Sequence, residues 1–367
     1  MPSIFVKDDL RASVEAASGG KQTVLYTATG QPCYMNIIPK FLLQDINASL
    51  GSGVHPAFIV NGIEKSEIFI GTYQGISKNG ELLSLPGVDL SSTRTFDQFV
   101  DLARANGPGW HCMTNTEWAA LAMWCWKNGF MPRGNTNSGK SSEAGWETGR
   151  RQDGAAPGTP SGTSRTLTGS GPVSWRHDNS NGGISDLCGN VWEWAPGLRL
   201  VNGEIQIIPN NDAALNVTNM SDTSTNWKAI NGATGELVAP TFTGTILDGN
   251  YVPTTANSIR YSNSGTAAYT LVIASGSSLE SMTNPGTTPV ADAAIQVLKR
   301  YGLFPVAASG LGGDVFFYNN SIQISERTPV RGGYWESGSV GGVFAINLNS
   351  PRSNTSSTVG ARPAFVL

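Results

Sequence analysis

Apolar residues recur at helical spacing from Thr95 to Asn106 and stop before Gly107, so an amphipathic helix is expected there. A second is expected from Asn115 to Lys127, capped by Thr114 or Asn115, with Glu117 in its first turn. A third runs from Val290 to Tyr301, before Gly302, and shorter helices fit Leu10 to Ala17, closed by Gly19-Gly20, and Phe41 to Leu50. Strand patterns fall at Thr23 to Thr27, Ser258 to Tyr261 and Tyr269 to Ala274. Asn-Gly pairs between apolar runs predict hairpins. One joins Ala57–Val60 to Glu67–Tyr73 through Asn61-Gly62, and another spans 198–208 around Asn202-Gly203. Val315–Tyr318 and Ser321–Ser325 flank Asn319-Asn320 as a third. Residues 130–183 show almost no periodicity, although Trp146 and Trp175 imply that parts of this stretch pack. The whole reads as an α+β chain, loop-rich, with few helices and many short strands.

Composition sharpens this picture. The 367 residues include 44 Gly and 20 Pro but only 14% charged side chains, which excludes coiled coils and long-helix architectures. Ten Trp and thirteen Phe supply a core that a disordered chain would lack. A net charge of −3 argues against a nucleic-acid partner, which calls for a basic footprint. No apolar run is long enough to span a membrane, and the segment MPSIFVKDDL has no leader pattern, so neither insertion nor a signal peptide is expected. The four scattered cysteines, Cys33, Cys112, Cys125 and Cys188, are expected to be free buried thiols, with a Cys112–Cys188 pairing as the alternative.

Three segments carry most of the information. They are Trp110 to Ala120 (WHCMTNTEWAA), Ile184 to Trp194 (ISDLCGNVWEW), and Val330 to Trp335 (VRGGYW) followed by Val359 to Ala364 (VGARPA). In this order they resemble the formylglycine-generating-enzyme (sulfatase-modifying factor) family. The resemblance covers roughly 57–367 and implies a C-type-lectin-like fold of that subclass. It sets apart an N-terminal segment, 1–56, serving attachment or packing, and a long insertion at about 198–325. Trp192 and Trp194 alternate and are expected to anchor a core, while Arg331, Arg352 and Arg362 are expected to bond backbone carbonyls that loops leave unpaired. The family's catalysts use two cysteines near the C-terminus that bind copper. Here no cysteine follows Cys188, so the resemblance implies the fold without the oxidase chemistry. The three histidines, His55, His111 and His177, have no metal-ligand spacing. Asp186, Gly189, Val191 and Glu193 match a calcium site of the family. They make a structural Ca²⁺ the one metal to test, and no other cofactor is required.

The last segment, 331–367, also resembles the variable region of proteins diversified by retroelements in phages and bacteria. A fixed frame there alternates with positions rich in Asn, Ser, Thr and Tyr. Phe344, Ile346 and Leu348 are expected to point inward, leaving Ala345, Asn347 and Asn349 outward. The expected ligand-binding surface comprises Tyr334, Glu336, Ser337, Val340, Asn347, Asn349, Ser350, Asn354, Ser356 and Thr358. Glu336 departs from the pattern, because changing the two adenines of an AAC codon does not produce Glu. The resemblance implies a non-enzymatic, phage receptor-binding protein on a virion tail or surface. Its expected partner is a host-cell surface protein or glycan, and it would be displayed as a homo-oligomer such as a trimer or with other virion proteins. An enzyme of the same fold with another active site, and a structural virion decoration protein, are the alternatives.

Overall fold

The computed structural model describes residues 8–244, 252–319 and 326–367. In chain order the first half contains α1 (Asp9–Ser18), β1 (Gln22–Tyr26), β2 (Pro32–Pro39), α2 (Leu43–Ile46), β3 (Ile59–Val60), β4 (Ile63–Glu64), β5 (Glu67–Gly71), β6 (Gly75–Lys78), β7 (Glu81–Ser84), α3 (Phe96–Arg104), β8 (Trp110–Cys112) and α4 (Asn115–Asn128). After a long irregular stretch come β9 (Trp192–Trp194), β10 (Leu198–Val201), β11 (Glu204–Ile207), β12 (Lys228–Ile230), β13 (Leu237–Val238), β14 (Phe242–Thr243) and β15 (Val252–Pro253). The rest is β16 (Arg260–Ser262), β17 (Thr270–Val272), β18 (Ser277–Ser278), α5 (Asp292–Arg300), β19 (Val315–Phe317), β20 (Glu326–Arg327), β21 (Val330–Gly332), β22 (Gly342–Asn347), β23 (Val359–Gly360) and β24 (Pro363–Phe365). The fold is α+β, mostly strand and loop.

Helices α3 and α4 begin as their sequences dictate. In each, a threonine (Thr95, Thr114) accepts from the backbone N–H three residues on, and the side chain there (Gln98, Glu117) bonds back. Gly129 closes α4 at φ 72°, a left-handed position that a Cβ would strain. Nearly every residue of α4 is buried, so it forms the axis of the main core rather than a surface helix.

Two sheets position the site. One has the order β1-β2-β5-β24-β8, so strands from both ends of the described chain meet in it. β1 and β2 of the N-terminal segment, expected to serve attachment or packing, thus pack in one sheet with β5 and β24. The Asn61-Gly62 hairpin is a correction to the sequence reading. It joins β3 to β4, while β5 leaves to lie between β2 and β24. Both faces of β5 are apolar: Ile68 and Ile70 enter the main core, and Phe69 packs near Cys33, Met35 and Trp110. Such a strand is buried only in a sheet centre. Strand β2 and the β6–β7 hairpin at Asn79-Gly80 were not anticipated.

The second sheet has the order β18-β19-β22-β21-β9-β23. The segment set apart as an insertion builds its own sheet, β13-β12-β11-β10-β20, yet also delivers β19 to the second sheet, parallel to β22. The predicted partner of β19 at Ser321–Ser325 lies outside the described residues.

A candidate recognition face on the C-terminal sheet

Strand β22 is covered on both sides. Phe344 and Ile346 enter the core around α4, while Ala345 joins Trp192, Trp194, Val315, Val330 and Val359 in a second cluster against α3. Ala345 was expected to point outward and is instead fully buried, because α3 and Trp194 close over that end of the sheet. The same face opens farther along. Asn347, two residues on, lies beside Phe317 in register. Phe317, Tyr334 and Val340 sit half-buried at the edge of that cluster. Trp192 stands at its centre, 5% exposed, its ring centroid 6.4 Å from that of Phe317.

The frame holding this face is built from buried arginines and close backbone contacts. The Arg362 guanidinium forks onto Glu193, Nε to Oε2 at 3.0 Å and Nη2 to Oε1 at 2.7 Å, and donates to the carbonyls of Gly71 and Ser185. Arg331 donates to Asn115 Oδ1 and the Gly302 carbonyl. Arg352 donates to the Met220 carbonyl. Gly332 has φ 92°, and a Cβ there would stand 2.9 Å from the Leu187 carbonyl oxygen. A register shift between Arg331 and Gly332 sends the chain into the Tyr334–Val340 turn. Trp335 is buried beneath it with Leu90 and Val191.

Of the ten residues expected to form the surface, none is buried. Glu336 is exposed, and the other nine are half-buried. Tyr334, Val340 and Asn347 share the opening around Trp192 and Phe317. Thr358 borders it, its carbonyl accepting from Trp192 N–H at 2.9 Å and its hydroxyl lying 2.8 Å from that of Ser356. Ser337 locks the turn, its hydroxyl accepting from Tyr334 N–H. Asn349 accepts from Asn319 N–H at 2.8 Å and serves as a brace between strand ends. The Ser350 carbonyl accepts from Thr328, and Asn354 N–H donates to Pro351 in the following turn. The sequence reading missed Phe317. It reaches this face only through the parallel β19–β22 pairing, which no local pattern in 315–318 announces.

The calcium constellation does not fit an ion. Gln74 Nε2 donates to the Asp186 carbonyl at 3.3 Å, the Val191 carbonyl at 3.2 Å and Glu193 Oε1 at 3.0 Å, so an amide sits among the oxygens a cation would gather. Its orientation is fixed because Gln74 Oε1 accepts from Asn190 Nδ2 at 2.7 Å. Glu193 is neutralised by Arg362, and Asp186 Oδ2 accepts from Gly169 N–H. Gly189 serves packing, since a Cβ there would stand 2.2 Å from the Asn135 carbonyl oxygen. Among the described residues no three His, Cys, Asp or Glu side chains gather as a metal site.

All four cysteines are buried and free. Burial pushes the Cys33 thiol up to about 12 and raises the other three further. Among the described residues no helix is long and apolar enough to cross a membrane. Comparison with known protein families gives no match, and comparison with curated proteins gives none either.

Proposed function

We propose that this chain is a non-enzymatic binding protein with a C-type-lectin-like fold of the formylglycine-generating-enzyme subclass. Its diversified C-terminal face would recognise a host-cell surface protein or glycan, as a phage receptor-binding protein does on a virion. The observation that carries the reading is the division within 331–359. Frame residues Arg331, Gly332, Trp335, Phe344, Ile346 and Leu348 are buried, while all ten positions expected to vary keep solvent exposure. Side chains on a preorganised sheet can change without unfolding it, and binding then loses little to ordering. Tyr334 is the natural anchor, rigid and aromatic with a hydroxyl to spare for a partner.

No cysteine follows Cys188, so the family's copper-binding pair has no counterpart here, which supports a non-oxidase role. The test is to sequence the coding region for 331–367 across a passaged population of its source, together with the flanking DNA. The reading expects substitutions at the codons of the surface positions other than Glu336, where a nearby imperfect repeat serving as template carries adenines. A population with changes spread evenly over frame and surface codons would overturn it.

A further inference from the structure

A second concavity lies where α1, β2, the end of α4 and the 173–179 loop meet, and it shares no lining residue with the recognition face. Its volume is about 390 Å³, within the roughly 300–1,000 Å³ of small-molecule sites. Trp124 and Phe130 stack in its wall, with centroids 6.1 Å apart and planes inclined by 22°. The His177 ring stands 5.2 Å from Trp124. Phe130 is 36% exposed, so its ring is open to a ligand.

Polar groups rim these rings. Lys21 Nζ donates to Asp178 Oδ2 at 2.7 Å and to Ser180 Oγ at 3.3 Å, which leaves one ammonium proton. His177 Nδ1 accepts from Ile184 N–H at 2.8 Å, so Nε2 carries the ring proton and is a donor. Burial holds this imidazole neutral, its pKa pushed down to about 4. Phe130 also lines a separate, smaller polar basin of about 140 Å³ with Arg133, Ser174, Arg176 and Asn179. Arg133 is paired with Glu147 and Lys21 with Asp178, while Arg176 donates to the Gly183 and Gly169 carbonyls and keeps its positive charge.

An aromatic wall edged by hydrogen-bonding groups, most of them already tied into ion pairs, complements a pyranose. Such a ring has an apolar C–H face and hydroxyls around its edge. We propose that this groove binds a short oligosaccharide, with one ring stacked on Trp124 and Phe130 and the next in the smaller basin that shares Phe130. The site is independent of the diversified face and does not rest on its function.

The test is binding of the full chain to an array of bacterial and mammalian oligosaccharides, followed by titration of a captured glycan into Phe130→Ala, Lys21→Ala and Tyr334→Ala variants. Phe130 and Lys21 are exposed or half-exposed, so these variants should fold, and unchanged melting temperatures would confirm it. The groove is supported if Phe130→Ala and Lys21→Ala each weaken binding about tenfold or more while Tyr334→Ala leaves it unchanged. It is overturned if no glycan binds, or if the glycan is lost with Tyr334→Ala and kept by Phe130→Ala.

Discussion

Trp335 shows how one side chain holds the recognition face. It is 6% exposed, packs with Leu90 and Val191, and lies edge-on to Tyr334 at 5.7 Å. Replacing it by Ala should cost about 3–5 kcal/mol, as for other large core aromatics, and denaturant unfolding reads this directly. Asp314 gives a second residue-scale expectation. Its Oδ2 accepts from Phe344 N–H at 2.6 Å at the base of β22, and burial pushes its pKa up to about 7. The folded state therefore holds a proton that the unfolded chain releases near pH 4. Stability from this group is complete below pH 4, falls as pH rises to about 7, and is flat above. The loss should be roughly 2–4 kcal/mol. Asp314→Asn should flatten that slope in melting experiments between pH 4 and 7. A slope unchanged in the variant would assign it to other groups.

At the scale of elements, the side-chain amides of Gln74 and Asn190 tie together the turn from Asp186 to Val191. Excess chelator should leave the melting temperature unchanged, because Gln74 and Arg362 already fill the positions of a cation. A clear drop on chelation would contradict this. Arg362→Ala should instead be severe, about 3–5 kcal/mol, since it strands Glu193 as a buried charge. α3 was legible because apolar residues repeat at helical spacing after Thr95, and α4 because Thr114 caps an apolar run that Gly129 closes. Strand β2 was not, because its PCYMNIIP lacks clean alternation and its place is set by β5. The surroundings of the calcium motif were legible only in part: Asp186 and Glu193 are visible in the chain, whereas Gln74 arrives from more than 100 residues away.

Across the whole molecule, the long insertion and the C-terminal region form one device. β19 crosses from the insertion to pair with β22, and the Arg199–Glu326–Arg352 chain of ion pairs ties the β10–β20 sheet to the turn after β22. Within 331–359 the alternation put Phe344, Ile346 and Leu348 inward, and all three are buried. The environments of Ala345 and Phe317 were not readable in this way, because they depend on α3 and β19, which the local pattern does not reveal. The same architecture predicts that side chains facing the opening can be exchanged in sets while those between the two cores cannot.

The most direct measurement pairs affinity with stability for two sets of variants in the full chain. In one, Tyr334, Val340, Asn347, Ser356 and Thr358 are replaced together by other polar or aromatic residues. In the other, Phe344 and Ile346 are replaced by Ala. Binding is read on a panel of host cells and thermal melting on the purified proteins. The outward set should change which cells are bound and shift melting by no more than a few degrees, and the inward set should unfold the sheet. An outward set that collapses the fold as the inward one does, or that leaves target choice untouched, would contradict a tolerant recognition face.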